Sequence, residues 1–340
     1  MATIGTSVLT LSDYAKLLDP DGKVAKIAEV LHESNAIIKD IPWMEGNLDT
    51  GHRHTVRSGL PAATWRLLNY GVQPSKGRTT QVDDTCGMLE AVSEIDKDLA
   101  DLNGNKAAFR WSEDVAHIEG MGQDAETAFF YGNQATDPEQ ITGLAPRYNA
   151  GDTAADSNTS ADNVINGGGT GSDNTSVWLV NWGENKVFGI YPKGMQAGLQ
   201  HIDEGETTLY DAASGTYRGY RSRYKWKCGL AVADWRHAVR IANIDYSLMV
   251  ADGGTVSSGA NLITLMIRAL HKLPKIGMGR RVFYVNEAVY LYLDLQTLSQ
   301  TNMNVSYGKD AHGQEVMMFR GVPVRVSEAI LNTESAVTFS

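Results

Sequence analysis

Cysteine is scarce in this chain of 340 residues, which contains only Cys86 and Cys228. Neither residue belongs to a CxxC pair or to a Cys/His cluster, so the sequence argues against a disulfide framework or a zinc site and predicts two reduced, packed thiols. The first thirty residues have no basic start followed by an apolar core. No run reaches the ~18 apolar residues of a membrane helix. We expect a soluble protein made in the cytoplasm.

Positive charge is also in short supply, since 30 Lys and Arg residues face 40 Asp and Glu residues and the net charge is -10. Such an acidic chain is not suited to gripping nucleic acid over a broad surface. The remaining composition, 42% hydrophobic and 21% charged, is typical of globular proteins. It fits one large domain or two closely associated subdomains.

Charge is distributed in two adjacent blocks of opposite sign. Residues 51–82 contain no acid and five cations, whereas residues 83–126 contain twelve acids and three cations. The five cations are Arg53, Arg57, Arg66, Lys76 and Arg78. These blocks suggest complementary surfaces, within one subunit or between neighbours. Two separately solvated faces would produce the same pattern.

The basic block has the pattern of an extended ribbon. Glycine and proline punctuate it too often for a long helix, while Thr55-Val56 and Thr79 to Val82 suit strands. We predict two strands that project from the body of the protein.

The acidic block leads into a long helix, predicted from about Lys106 to Phe130. Its apolar positions form one stripe along a helical face. These positions are Trp111, Val115, Ile118, Ala125 and Phe129. Residues 148–176 follow it with five glycines, four aspartates and no Lys or Arg, and they are predicted to be a surface insertion.

Strand patterns rich in β-branched and aromatic residues occupy 177–180, 187–190 and 226–232 and predict an antiparallel sheet. The last third has an α/β rhythm. There, Ser257 or Ser258 is expected to cap a helix with Leu262, Leu265, Met266, Ala269 and Leu273 on one face. A strand at 281–285 leads into a helix capped by Asn286, and two strands flank Arg320-Gly321 as a hairpin.

Signals for catalysis or for a cofactor are weak. His52 and His54 would share one face of a strand, which could begin a metal site, but no third ligand follows at a suitable spacing. We expect them to be exposed histidines of the ribbon. The glycine run from Gly167 lacks the Lys-Ser/Thr of a P-loop, and no GxSxG elbow is present. We therefore predict no enzyme, cofactor or metal; the alternatives of another class are a metal-dependent hydrolase and a glycan-binding module.

Four long segments carry a resemblance to a known family. They are FFYGNQATDPEQITGLAPRYN (129–149), GGTGSDNTSVWLVNWGENKVFGIYPKG (168–194), YKWKCGLAVADWRHAVRIANID (224–245) and FRGVPVRVSEAILNTE (319–334). In these segments the sequence resembles the major capsid proteins of short-tailed bacteriophages such as epsilon-fifteen and the Bordetella phages.

The resemblance implies an α+β chain with the Hong Kong 97 phage capsid fold. In that fold an N-terminal arm and an extended loop precede a peripheral domain, built from a long spine helix and an antiparallel sheet, and an axial α/β domain. The implied boundaries are 1–47 for the arm, 48–90 for the loop, 91–245 for the peripheral domain and 246–340 for the axial domain. The spine helix at about 106–130 and the insertion at 148–176 belong to the peripheral domain.

The resemblance also implies a function. Copies of the chain would assemble through hexamers and pentamers into the icosahedral shell around the double-stranded DNA genome of a tailed phage. The protein would be made in the bacterial cytoplasm and end in the virion, with scaffolding, portal and cement proteins as further partners and with no membrane contact. DNA would be enclosed without tight binding. An encapsulin-like compartment is the structural alternative.

In this family the extended loop lies across the peripheral domain of the adjacent subunit, which gives the charge reversal a role. The predicted contact joins Arg53, Arg57, Trp65, Arg66, Leu67, Leu68, Tyr70, Lys76 and Arg78 of one copy to Asp96, Asp98, Glu113 and Glu119 of its neighbour. Apolar burial at the tip should anchor it, because surface ion pairs contribute only ~0–1 kcal/mol each. Alternatively, the tip residues form a small cluster within the ribbon.

Overall fold

A computed structural model of the protein describes residues 35–102, 106–152, 159–211, 214–252, 259–274, 279–299, 305–309 and 315–339. The expected N-terminal arm, residues 1–47, therefore lies largely outside the described residues. Contacts divide the chain into two compact units. Apart from the first residues, the smaller unit contains 88–126 and 198–227, and the larger contains 34–87, 127–197 and 228–340.

The described helices are α1 (Ala36–Asp40), α2 (Lys97–Asp101), α3 (Lys106–Tyr131), α4 (Tyr246–Asp252), α5 (Leu262–Lys272) and α6 (Glu287–Ser299). The described strands are β1 (Trp43–Glu45), β2 (Gly51–Gly59), β3 (Arg78–Asp96), β4 (Ala150–Gly151), β5 (Val164–Asn166), β6 (Asn174–Trp182), β7 (Val187–Tyr191), β8 (Gln200–Tyr210), β9 (Thr216–Val232), β10 (Ala238–Asp245), β11 (Arg280–Val285), β12 (Val305–Lys309), β13 (Glu315–Phe319), β14 (Val322–Val326) and β15 (Thr338–Phe339). Helix and sheet together confirm the α+β prediction.

The smaller unit is built on the antiparallel hairpin of β8 and β9, with the second half of β3 on the other side of β9. Burial alternates along β9, as expected for a strand with one covered face. Tyr220 on the covered face packs with Ile95, Leu99 and Phe109 in a small core. The opposite face of this sheet is therefore exposed to solvent.

The larger unit is organised around β6, whose nine residues are all buried. The antiparallel strands β10 and β11 pair with it, and β14 extends the sheet in parallel to β11. Helices α5 and α6 contribute to the same core as these strands. The predicted apolar face of α5 is confirmed, because Leu262, Leu265, Met266, Ala269 and Leu273 are all buried.

The predicted turn and one of the two predicted helix caps are confirmed. The hairpin of β13 and β14 turns through Arg320 and Gly321, both at positive φ (50° and 77°), as a two-residue type I′ turn requires. Asn286 caps α6 by accepting from the amide of Ala288 at 3.0 Å. The cap of α5 was predicted wrongly: Asn261 accepts from the amide of Thr264, and residues 257 and 258 lie outside the described part.

The prediction of a surface insertion at 148–176 is wrong at β5, in the middle of the segment. Val164 and Ile165 are buried, because β5 pairs with β10 and supplies apolar side chains to the core. The glycine run from Gly167 is held by backbone hydrogen bonds. The amides of Gly167 and Gly169 donate to the carbonyls of Ala242 and Asn243, at 2.8 and 2.7 Å, so they are not available to cradle a phosphate.

The apolar stripe of α3 is only half covered. Ala125 and Phe129 are buried, but Trp111 is 62% exposed, and Val115 and Ile118 are half-buried. Periodicity predicted the common face, and the structure shows that the first turns of the helix leave this face partly uncovered.

A C-terminal segment, residues 327–339, is fixed to the larger unit chiefly by polar contacts. Glu334 is buried, and its carboxylate accepts hydrogen bonds from the hydroxyls of Tyr131 and Ser176. The guanidinium of Arg240 donates to the same carboxylate at 2.9 Å. The backbone of Glu334 also exchanges hydrogen bonds with that of Asn174. Sequence analysis did not identify this cluster.

We expect Glu334→Ala to lower the free energy of unfolding by about 3–5 kcal/mol, because it leaves a buried guanidinium without its partner. Arg218→Ala is the matched control. It removes an exposed pair with Glu206, 3.1 Å apart, and should change stability by no more than about 1 kcal/mol. Urea denaturation measures both, and equal losses would contradict the assignment of Glu334 as a structural anchor.

Candidate inter-subunit surface

The basic block forms the predicted two-stranded ribbon. Strands β2 and β3 pair in antiparallel register, with Arg53 opposite Asp83 and Val56 opposite Thr80. At its base, the side-chain amide of Asn47 bonds the backbone of Arg53 twice, accepting from its N–H at 2.7 Å and donating to its carbonyl at 2.6 Å. Asn47 thus replaces a neighbouring strand at this edge and fixes where the ribbon begins.

The loop at the end of the ribbon, residues 60–77, is exposed at every position. We call residues 65–70 the tip. Leu67 to Tyr70 make a turn in which the amide of Tyr70 donates to the carbonyl of Leu67 at 3.2 Å. Asn69 lies at φ 69°, which is the conformation that a type II turn needs at its third residue.

Large apolar side chains at the tip are not covered by the described residues of their own chain. Trp65 is fully exposed, and Leu67, Leu68 and Tyr70 are each at least 70% exposed. The alternative of a local cluster buried within the ribbon is therefore wrong. A concentration of exposed apolar side chains of this size marks an interaction site.

The five cations of the ribbon do not all have the same surroundings. Arg53 forms a bidentate pair with Asp83, at 2.6 Å for both hydrogen bonds, and these bonds hold the pKa of Asp83 below its usual value. The remaining cations are exposed and have no carboxylate partner among the described residues. They are Arg57, Arg66, Lys76 and Arg78.

Much of the acidic block is paired within the chain. Asp84 binds Arg147 at 2.7 Å, and in the smaller unit Glu90 binds Lys225 at 2.5 Å and Glu94 binds Arg221 at 3.0 Å. The cations of β9, which alternate along one face of the strand, were not included in the predicted surface. Their spacing at Arg221, Arg223 and Lys225 could have revealed them, because alternate residues of a strand share a face.

The four acids predicted to meet the ribbon differ in availability. Asp96 caps α2 by accepting from the amide of Asp98 at 2.8 Å, and the Asp98 side chain is exposed. Glu113 is partly buried on α3, where burial and the neighbouring Asp114 raise its pKa. Glu119 lies six residues further along α3 and is half-buried, and its carboxylate accepts a hydrogen bond from the side-chain amide of Gln123 at 3.5 Å.

The two histidines of β2 are not exposed as predicted. They stack on one another with ring centroids 6.2 Å apart, and His52 also meets the edge of Phe188. Nδ1 of His54 lies 3.5 Å from the carboxylate of Asp84, which Arg147 already binds. Burial is the main cause that lowers the pKa of His54, with contributions from His52 and Arg147.

This pKa shift predicts a pH dependence. Because the pKa of His54 is lowered in the folded state, the unfolded chain binds the proton more readily, and folding loses stability as the pH falls below about 6.5. His54→Gln should therefore lose less unfolding free energy than the unsubstituted chain between about pH 7.5 and about pH 5.5. The exposed His117→Gln is the control and should behave like the unsubstituted chain. An unchanged pH dependence in His54→Gln would refute the prediction.

No described group of three or more His, Cys, Asp or Glu side chains could hold a metal ion. Nor is any described helix long and apolar enough to cross a membrane. Cys86 and Cys228 are free, and burial raises their pKa values to about 11 and about 12. Both thiols are consequently poor nucleophiles near neutral pH.

Comparison with known proteins gives an extensive family match. The sequence model of the family described as major capsid protein GP7 matches residues 19–338. A solved structure of bacteriophage Epsilon15 is 33% identical, with a TM-score of 0.80 and 99% of each chain covered. No curated protein matches the sequence significantly.

Two further similar structures are much more distant. The capsid of a native GTA particle is 10% identical, with a TM-score of 0.47 over 67% of this chain and 95% of that one. An encapsulin complex from Synechococcus elongatus is also 10% identical, with a TM-score of 0.43 over 70% and 96%. Neither likeness is close enough to support a functional argument.

Proposed function

We propose, from the premise that this chain belongs to the major capsid protein GP7 family, that its copies assemble through hexamers and pentamers into an icosahedral shell. The chain is a phage major capsid protein with the Hong Kong 97 fold, and its place is in the virion. Its role is structural and non-catalytic. The shell encloses double-stranded DNA and is assembled in the host cytoplasm with scaffolding, portal and cement proteins.

The observation that supports a direct contact between copies is the uncovered tip of the extended loop, with Trp65 fully exposed and Leu67 and Leu68 largely so. Burying a Leu or Phe side chain contributes about 1.5–3 kcal/mol, whereas an exposed ion pair contributes about 0–1 kcal/mol. A neighbour that covers the tip would therefore gain more from its apolar side chains than from its cations.

The cations of the ribbon then act mainly on assembly rate and register. Arg57 and Arg66 have no carboxylate partner among the described residues of their own chain, so they are free to meet an acidic surface on the adjacent copy. Asp96, Asp98, Glu113 and Glu119 remain the proposed acids of that surface. Arg53 contributes less, because Asp83 already neutralises it.

We expect Leu67→Ser with Leu68→Ser to reduce particle yield more than Arg57→Glu with Arg66→Glu, because apolar burial outweighs exposed charge. Sedimentation and electron microscopy of the expressed protein measure this. Lys39→Glu with Lys193→Glu is the control, since both cations are exposed and lie outside the ribbon. Normal particle yield from both ribbon variants would remove this contact from the proposal.

Isolated subunits should not bind duplex DNA tightly. Their net charge of -10 opposes phosphate binding, and a packaged genome must be free to slide against the shell during packaging. Gel-shift assays at physiological salt should therefore show no stable complex. A sub-micromolar affinity would contradict the proposed passive enclosure.

A further inference from the structure

A cleft of about 530 Å³ lies in the larger unit, between α5 and β5. Among the described strands, β5 pairs only with β10, so its other edge faces this cleft. The described lining residues come from β5, from α5, from β15 and from the residue after β4. Sites that bind small molecules in proteins have volumes of about 300–1,000 Å³. The cleft therefore has the size of a small-molecule site.

One side of the cleft is apolar. Val164 and Ile165 of β5 are buried, and Ile267 of α5 is half-buried beside them. Phe339 of β15 completes this side, and its ring packs directly on Gly151, where a Cβ atom would overlap the ring. The missing side chain at Gly151 thus fixes the ring at the cleft. These side chains suit the hydrocarbon part of a ligand.

The rim of the cleft carries basic side chains from the last two turns of α5. Arg268, His271 and Lys272 follow one another at i, i+3 and i+4, a spacing that places them on one helical face, and all three are exposed. The ammonium of Lys272 donates to the backbone carbonyl of Asp162. Arg268 and His271 have no hydrogen-bond or ion-pair partner among the described residues. Their N–H groups are therefore available to a ligand.

The balance of charge in the cleft favours a ligand with a single negative charge. Arg268 and Lys272 are cations, and Asp152 is the one acid among the described lining residues, so positive charge exceeds negative charge by one unit. A dianion such as phosphate would exceed this balance. A guanidinium binds a planar carboxylate through two parallel hydrogen bonds. A carboxylate is therefore the head group that fits the rim best.

We propose that this cleft binds a small apolar monocarboxylate. Its carboxylate accepts hydrogen bonds from Arg268 and His271, and its hydrocarbon part lies against Ile165 and Phe339. A free fatty acid and the end of a peptide chain both combine such a head group with an apolar body. The site lies within one subunit, so it does not depend on assembly of the shell.

Titration calorimetry of the full chain with sodium octanoate tests the proposal. We expect saturable binding at one site per chain, binding of 1-octanol that is weaker by about tenfold or more because the alcohol lacks the charged head group, and no binding of inorganic phosphate. Equal affinity for octanoate and octanol, or the absence of saturable binding by any carboxylate probe, would overturn the proposal.

A peptide probe separates the two sources of the carboxylate. The peptide acetyl-Ala-Val-Leu is titrated with a free terminal carboxylate and, as its matched control, with a terminal amide. Binding of the free-acid peptide but not of the amide supports a chain end as ligand, whereas binding of octanoate alone supports a free acid. Equal binding of the peptide and its amide would contradict recognition of a carboxylate.

Substitution of Arg268 locates the site. Arg268→Gln should weaken octanoate binding about tenfold, because it removes the charged donor, while circular dichroism stays unchanged because the side chain is exposed. Arg66→Gln is the matched control, since Arg66 also lies among exposed apolar side chains, at the tip of the loop. Loss of binding in Arg66→Gln with full binding in Arg268→Gln would place the carboxylate at the tip and refute the proposal.

Substitution of Phe339 tests the apolar side of the cleft without changing its charge. Phe339→Ala should weaken the binding of octanoate more than that of butanoate, because only the longer chain reaches the ring. The ratio of the two affinities is insensitive to a general loss of folded protein. An unchanged ratio would contradict the proposed orientation of the ligand.

Discussion

Burial of β6 on both faces is the constraint on which the larger unit depends. A strand without a solvent side needs strands on both edges and covering elements on both faces, and its polar side chains need partners. Asn181 meets His237 and the amide of Gly279, while Ser176 reaches Glu334. Segments far apart in the sequence are thus held to one strand. The C-terminal segment completes the core and is not an appendage to it.

The features of the fold that could be predicted from the sequence are those determined by residues close together along the chain. The turn at Arg320-Gly321, the long α3 helix and the apolar face of α5 follow from turn chemistry and helical periodicity. The C-terminal cluster around Glu334 could not be predicted in the same way, because it joins residues 94 to 203 positions apart through side-chain contacts that leave no periodic pattern. The burial of Val164 depends likewise on pairing with a distant strand.

The candidate surface could likewise be predicted only in part. Sequence identified the ribbon, its cations and its apolar tip, because composition and spacing carry that information. It could not say which charges were already paired: Arg53 is bound by Asp83, while Arg57 has no described carboxylate partner. Periodicity, in turn, placed Trp111 on an apolar face but could not show whether the chain itself covers that face. Exposure is a property of the tertiary structure.

The loop at residues 60–77 affects how copies of the same chain can occupy positions with different neighbours in a shell. Its described contacts, such as the hydroxyl of Ser75 on the carbonyl of Ala62, lie within the loop. Packing against the body therefore does not fix the angle at which it leaves the ribbon. In the proposed shell, differences between fivefold and sixfold surroundings can be absorbed there by backbone rotation, at little cost in free energy. One sequence can thus satisfy quasi-equivalence while its buried strands keep a single conformation.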